Sequence, residues 1–353
     1  MIKKTSVLFL LLAFFLPLVG VRADGMIIPE PNYHAWETDQ KAVIFYEGGQ
    51  ETLVVSTSFQ GDAKSFAWII PTPSQPKVSK GSDELFTSLA ELTNVYKGVQ
   101  RNTMDVGYGV TQAIEEDVRV IETKKIDYYD VTVLEANEAT SLSRWLNDNG
   151  YNYPESGRYI LEDYIKNGWY FTAVKINDEY WSEALKGQLR TGHATPLKFQ
   201  FKTDKIVYPM RISSIVDYAI DGQNNPYGYY YNRNVGVLLY VIADNKQTLP
   251  GFNIDYAGYI KKETIEKLAY NDQGSPWLKT ENNKYFLTKL YRSMGRAEMT
   301  SDLYFRQADD NKTVNAPEEQ INKYAGFIIV ASVGGFIFLV LLILLFIQGR
   351  RKE

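Results

Sequence analysis

Alternating apolar and polar positions mark the first seventy residues as strand territory. Lys41 to Tyr46 (KAVIFY) and Glu51 to Phe59 (ETLVVSTSF) are rich in β-branched and aromatic residues, and Gly48-Gly49 between them supplies the positive φ that a tight hairpin turn needs. In the second run Leu53, Val55, Thr57 and Phe59 fall on one face, with Val54, Ser56 and Ser58 on the other. A further turn at Gly61-Asp62 leads into Ser65 to Ile70 (SFAWII), so three runs are expected to form an antiparallel meander. Pro71, Pro73 and Pro76 should end it, because proline has no N–H to donate to a ladder. Asp24 to Glu37 reads as an extended lead-in to this sheet.

The period then changes. Ser82 followed by Asp83 and Glu84 predicts a helix start, with Leu85, Phe86, Leu89 and Leu92 as a stripe lying on the meander. Lys97 to Asp117 has no periodicity and reads as a long loop or a subdomain boundary. Val118 to Ile121 and Val131 to Leu134 are short strands. Asn137 is placed to cap a helix carrying Leu142, Trp145 and Leu146 that stops at Gly150, and Ile160, Leu161, Tyr164 and Ile165 mark another that stops at Gly168.

Trp169 to Ile176 predicts a central strand. Leu197, Phe199 and Phe201 alternate with Lys198, Gln200 and Lys202, which predicts one buried face and one wet one. Ile206 to Ile212 contains Pro209 and belongs at an edge or a bulge. Val235 to Ala243 (VGVLLYVIA) is apolar throughout, as a strand covered on both faces would be. After a turn at Leu249-Pro250-Gly251 come a modest helix, Glu263 to Tyr270, and a strand, Tyr285 to Tyr291. The fold class is therefore α+β, mainly antiparallel sheet with a few packed helices.

Two apolar runs set the expected location. Residues 1–23 read as a signal peptide, with Lys3 and Lys4 before the run Val7 to Val19 and small residues at Val21 and Ala23. Gly326 to Ile347 carries no charge over 22 residues, enough to cross an apolar bilayer core of about 30 Å as a helix. Arg350, Arg351 and Lys352 follow, so the short tail 348–353 should be cytoplasmic and the bulk of the chain outside. This predicts a single-pass protein of the plasma membrane: an exported domain over 24–305, a polar tether over 306–325, and an integral anchor over 326–347. Ala331, Ser332, Gly334 and Gly335 would let anchor helices associate closely.

As a set, Gly61-Asp62-Ala63 with Phe66 to Pro73 (FAWIIPTP), Trp145-Leu146 with Gly150-Tyr151, Val207 to Ile212 (VYPMRI), Phe286 to Leu290 (FLTKL) and Glu298-Met299-Thr300 resemble the prokaryotic exported family known as domain of unknown function 2330. The resemblance covers most of residues 24 to 306. It implies a fold and an envelope location, and it carries no activity.

Charge and composition narrow the functions. Of 38 basic and 42 acidic residues, six basic ones and Glu353 fall in the signal and tail, which leaves the exported part near a net charge of about −9. A surface of that sign repels nucleic acid. There is no cysteine, which excludes thiol catalysis, and no phosphate-cradling glycine loop, nucleophile elbow or paired-histidine zinc motif is present. His34 and His193 are far apart in sequence, so no metal site and no cofactor is expected. Glu115, Glu116, Asp117, Asp127 and Asp130 read as solvated acids rather than a catalytic pair. The candidate binding residues are Tyr227, Tyr229, Tyr230 and Tyr231, in the loop Asp221 to Asn234 (DGQNNPYGYYYNRN). They offer flat amphipathic faces to a glycan or an exported protein, or else cover a sheet edge. The catalytic residues of the alternative function, a carboxylate-dependent hydrolase of envelope polymers, are not legible in the sequence.

Overall fold

The computed structural model describes residues 26–29, 35–61, 66–93, 117–176, 194–215 and 234–316. In chain order the first strands are β1 (Met26–Pro29), β2 (Ala35–Glu47), β3 (Gln50–Gly61), β4 (Phe66–Thr72) and β5 (Lys77–Lys80), followed by helix α1 (Asp83–Thr93). The hairpin β6 (Val118–Ile126) and β7 (Tyr129–Ala136) precedes α2 (Ala139–Asp148) and α3 (Arg158–Lys166). Then come β8 (Tyr170–Ile176), β9 (Leu197–Lys202), β10 (Val207–Tyr208), β11 (Val235–Ala243), β12 (Gln247–Thr248), β13 (Asn253–Lys261) and α4 (Lys262–Ile265). The last strands are β14 (Lys284–Met294), β15 (Leu303–Tyr304) and β16 (Arg306–Gln307).

Two main sheets result. A five-stranded sheet has the order β1-β4-β8-β7-β6, and a seven-stranded sheet the order β13-β14-β11-β2-β3-β9-β5. The pairings are antiparallel apart from β2 with β11, so the α+β expectation holds. Ala42, Ile44, Leu53, Val55, Leu239 and Val241 of the larger sheet share one buried cluster with Trp68, Ile69, Val131, Val133, Phe171 and Ala173 of the smaller. Each of the larger side chains, Val, Leu, Ile or Phe, once enclosed, contributes about 1.5–3 kcal/mol. The opposite face of the larger sheet is also covered: Val43, Phe45, Val54, Ile242 and Tyr285 are buried there, as are Leu85 and Leu89 of α1. Double coverage explains why β11 is buried at every position, as its composition predicts.

The Gly48-Gly49 hairpin forms as expected, with φ of 57° and 78°. The meander does not. β4 leaves for the smaller sheet, where it lies between β1 and β8, while the free side of β3 is taken by β9, whose Leu197, Phe199 and Phe201 complete its buried face. Pro71 does not end β4; it pairs with Phe171 beyond the last β1 partner, where no ladder is needed on the other side. The expected loop Lys97 to Asp117 lies outside the described residues apart from Asp117; because β4 joins β8 and β3 joins β9, the chain before and after it shares both sheets, and the described residues up to Asn315 form one compact unit.

Smaller departures have local causes. The α1 stripe is Leu85, Leu89 and Thr93, with Leu92 exposed. Glu138, not Asn137, is the N-cap of α2. Strand β10 is two residues long because the chain turns at Pro209 into a 3-10 turn, Arg211–Ser214. Helix α4 is four residues long, short of the span expected for Glu263 to Tyr270. Arg306 to Asn315, expected as tether, folds onto the domain: β16 pairs with β12, Ala257 and Val314 exchange backbone hydrogen bonds of 2.8 Å, and Lys246 grips Asp310 at 2.5 Å. The polar composition hid this because backbone groups and one buried lysine supply the contacts. Among the described residues no helix is long and apolar enough to cross a membrane. The expected signal peptide and the run Gly326 to Ile347 lie outside the described residues.

Candidate functional site

The sequence candidates Tyr227, Tyr229, Tyr230 and Tyr231 lie outside the described residues, but the chain is described up to Ile215 before them and from Asn234 after them. On one side the chain leaves from the 3-10 turn Arg211–Ser214; on the other it returns into β11, where Val235 pairs with Met294. The two ends approach the same stretch of chain, since Arg296, two residues after Met294, donates to the Ser213 carbonyl at 3.1 Å. Glu298 folds back there, accepting the Gly295 amide at 2.8 Å and Arg292 at 2.7 Å. The Gly295 amide first, and then Arg292, hold its carboxyl below the usual range.

Beside these ends sits a cluster of aromatic and charged groups. Arg211 donates its backbone N–H to Asp302 at 3.0 Å and its guanidinium to Asp163 of α3 at 2.6 Å. The same guanidinium lies 5.9 Å from the ring of Tyr159, which is 58% exposed. Tyr164, one turn further along α3, donates its hydroxyl to Asp302 at 2.6 Å, and its ring packs against Trp169 and Phe171. Burial pushes the Tyr164 hydroxyl well up and raises the Asp302 carboxyl, although Tyr164 and the Arg211 amide pull the latter back. Tyr304, 48% exposed, follows Asp302 by two residues on β15 and pairs with Val207. The open Tyr159 ring thus stands beside the Arg211–Asp163 pair, and Asp302, which takes the Arg211 amide, is two residues from the exposed Tyr304. Such a set can stack on a flat apolar face and exchange hydrogen bonds with hydroxyls.

The segment Val207 to Arg211 carries this face. It is held from three directions: Glu51 of β3 accepts the Val207 N–H at 3.0 Å, Tyr208 donates to Gln40 at 3.2 Å, and Asp302 takes Arg211. Glu51 had a sequence signal, being in phase with the buried Leu53 and Val55. Asp163, Tyr164 and Asp302 had none, since their meeting depends on α3 and β15 coming together.

Other expected sites resolve differently. Asp127 is no solvated acid: it accepts Thr195 at 3.0 Å and pairs with Lys80 at 3.3 Å, with its side chain 17% exposed. His34, His193, Glu115 and Glu116 lie outside the described residues. Among the described residues no three acids or histidines stand close enough to hold a metal ion.

A family model described as an uncharacterized protein conserved in bacteria, DUF2330, matches residues 21–223. The chain belongs to this family. The DUF2330 match takes in Glu51, Tyr159, Asp163, Tyr164 and Arg211, while Asp302, Arg296 and Tyr304 lie beyond it. No curated protein matches the chain. Among solved structures, the crystal structure of baculovirus P35 aligns with 82% of this chain and 98% of that one, at 13% identity and a TM-score of 0.34, too low to carry an argument.

Proposed function

We propose that this DUF2330 member is a membrane-anchored envelope protein whose outer domain is a binding module, with a glycan as its ligand. The observation that carries the reading is the open Tyr159 ring beside the Arg211 guanidinium, itself paired with Asp163, on the chain that leads toward the tyrosine-rich stretch. Sugars present alternating apolar patches and hydroxyls, which open rings beside a guanidinium and a carboxylate complement. A net charge of about −9 for the exported part disfavours acidic polymers and points to neutral or amino sugars. The anchor and orientation rest on the run Gly326 to Ile347 and its basic flank.

The hydrolase reading finds less support. It needs two converging carboxyls open to substrate, one of them desolvated. Glu51 is fully enclosed, and Asp302 is occupied by Tyr164 and the Arg211 amide.

Binding of the full chain in detergent to soluble envelope glycan fragments tests the proposal. Tyr159→Ser and Arg211→Ala should each weaken it by about tenfold or more, as loss of an aromatic or arginine anchor does. Thermal stability should change little, because the Arg211–Asp163 pair is partly exposed and worth about 1 kcal/mol or less. Undiminished binding in both variants would rule this face out, and capture of an exported protein in place of glycan would overturn the choice of ligand.

A further inference from the structure

Glu51 is an acid where the core would place an apolar residue. Its side chain is fully enclosed; one carboxyl oxygen accepts the Val207 N–H at 3.0 Å and the other has no hydrogen-bond partner among the described residues. Its cross-strand neighbours are Tyr46 on β2 and Phe201 on β9. The Tyr46 hydroxyl is engaged by the Thr203 carbonyl at 3.0 Å, and Asp204 is the other ionisable group that acts on that tyrosine. Lys202 and Lys205, which precede the segment that Glu51 holds, are exposed. An enclosed carboxylate with a single hydrogen bond and no cation against it is costly, so the group retains its proton.

What Glu51 holds is the segment Val207 to Arg211. Its middle is sealed by the Tyr208 hydroxyl on Gln40, and its end presents Arg211 to Asp163 and Asp302. Separating β10 from β3 is the direct way for water to reach an ionised Glu51, and that movement carries Arg211 with it.

We propose that Glu51 is a proton-dependent latch: protonated, it seats the Val207 to Arg211 segment and with it the Arg211 face; deprotonated, it releases both. The consequence for ligand rests on the reading of that face as a binding site, while the latch itself is a property of the free protein. Burial pushes the Glu51 carboxyl well above the usual glutamate range. A carboxyl raised in the closed state stabilises it fully at pH values below the range of a free glutamate. That stabilisation is lost as pH climbs from there to the closed-state value.

Hydrogen exchange of the full chain in detergent, without ligand, tests this. After correction for intrinsic exchange, protection of the amides in residues 206–211 should fall about tenfold per pH unit across that window, one proton being lost on opening. Amides of β11 should not follow. Glu51→Gln cannot ionise and should make protection independent of pH. Infrared difference spectra of the two proteins, taken at the acid end of that window, should show one protonated carboxyl present only in the wild type. Wild-type protection that stays flat as pH rises above the range of a free glutamate, superimposable curves, or absence of that carboxyl band would each overturn the latch, whether or not Glu51→Gln folds. Glycan binding enters none of these readouts, so failure here leaves the binding proposal standing, and failure of glycan binding leaves the latch standing.

Discussion

At the scale of single residues, buried or tightly held charges define how this domain answers to pH, and they act in opposite senses. Asp310 is the counterpart of Glu51: the Lys246 ammonium, at 2.5 Å, and then the Lys312 amide hold its carboxyl down to about 2. A depressed acid stabilises the fold above the range of a free aspartate, and that contribution disappears as pH falls through about 2. Asp310→Asn should therefore flatten the acid limb of the melting profile between about pH 4 and 2 and loosen residues 306–315 in hydrogen exchange. An acid limb identical to that of the wild type would show the pair to be idle. Lys246 itself is 7% exposed, so Lys246→Ala should also lower stability at neutral pH, through lost packing as well as lost charge. Glu51 was readable as an oddity of phase, but Asp310 was read as tether because nothing near it in sequence reveals the buried lysine it meets.

Individual elements were the most legible level. The hairpin of β2 and β3, the central strand β8, the two-faced burial of β11 and the helix stops at Gly150 and Gly168 all follow from local chemistry. Pairing between elements was not local, which is why the meander failed: β9, far along the chain, satisfied β3 better than β4 did. One junction of this kind gives a sharp test. Gly81, between β5 and α1, donates its N–H to the Pro196 carbonyl at 2.6 Å, and a Cβ there would meet the Pro196 backbone at 2.8 Å. Backbone cannot swing aside as a side chain can, so Gly81→Ala should cost about 1–3 kcal/mol in urea unfolding. An unchanged midpoint would mean that the contact between this junction and Pro196 is looser than described.

For the whole molecule, two sheets enclose a common core, and Arg211 and the open Tyr159 ring meet on the chain that flanks the tyrosine-rich stretch. The sequence pointed to that loop but not to Arg211 or Asp163, because it gives the period of each element and not the contacts that topology creates. The central claim is that this face looks out of the cell and holds a glycan. The absence of cysteine allows a direct measurement: Arg158→Cys places a single exposed thiol next to Tyr159 and leaves that ring in place, to be labelled on wall-stripped cells with a reagent that cannot cross membranes. The account predicts labelling without lysis, slowed by added soluble envelope glycan. Labelling that requires lysis, or a rate indifferent to glycan, would contradict it.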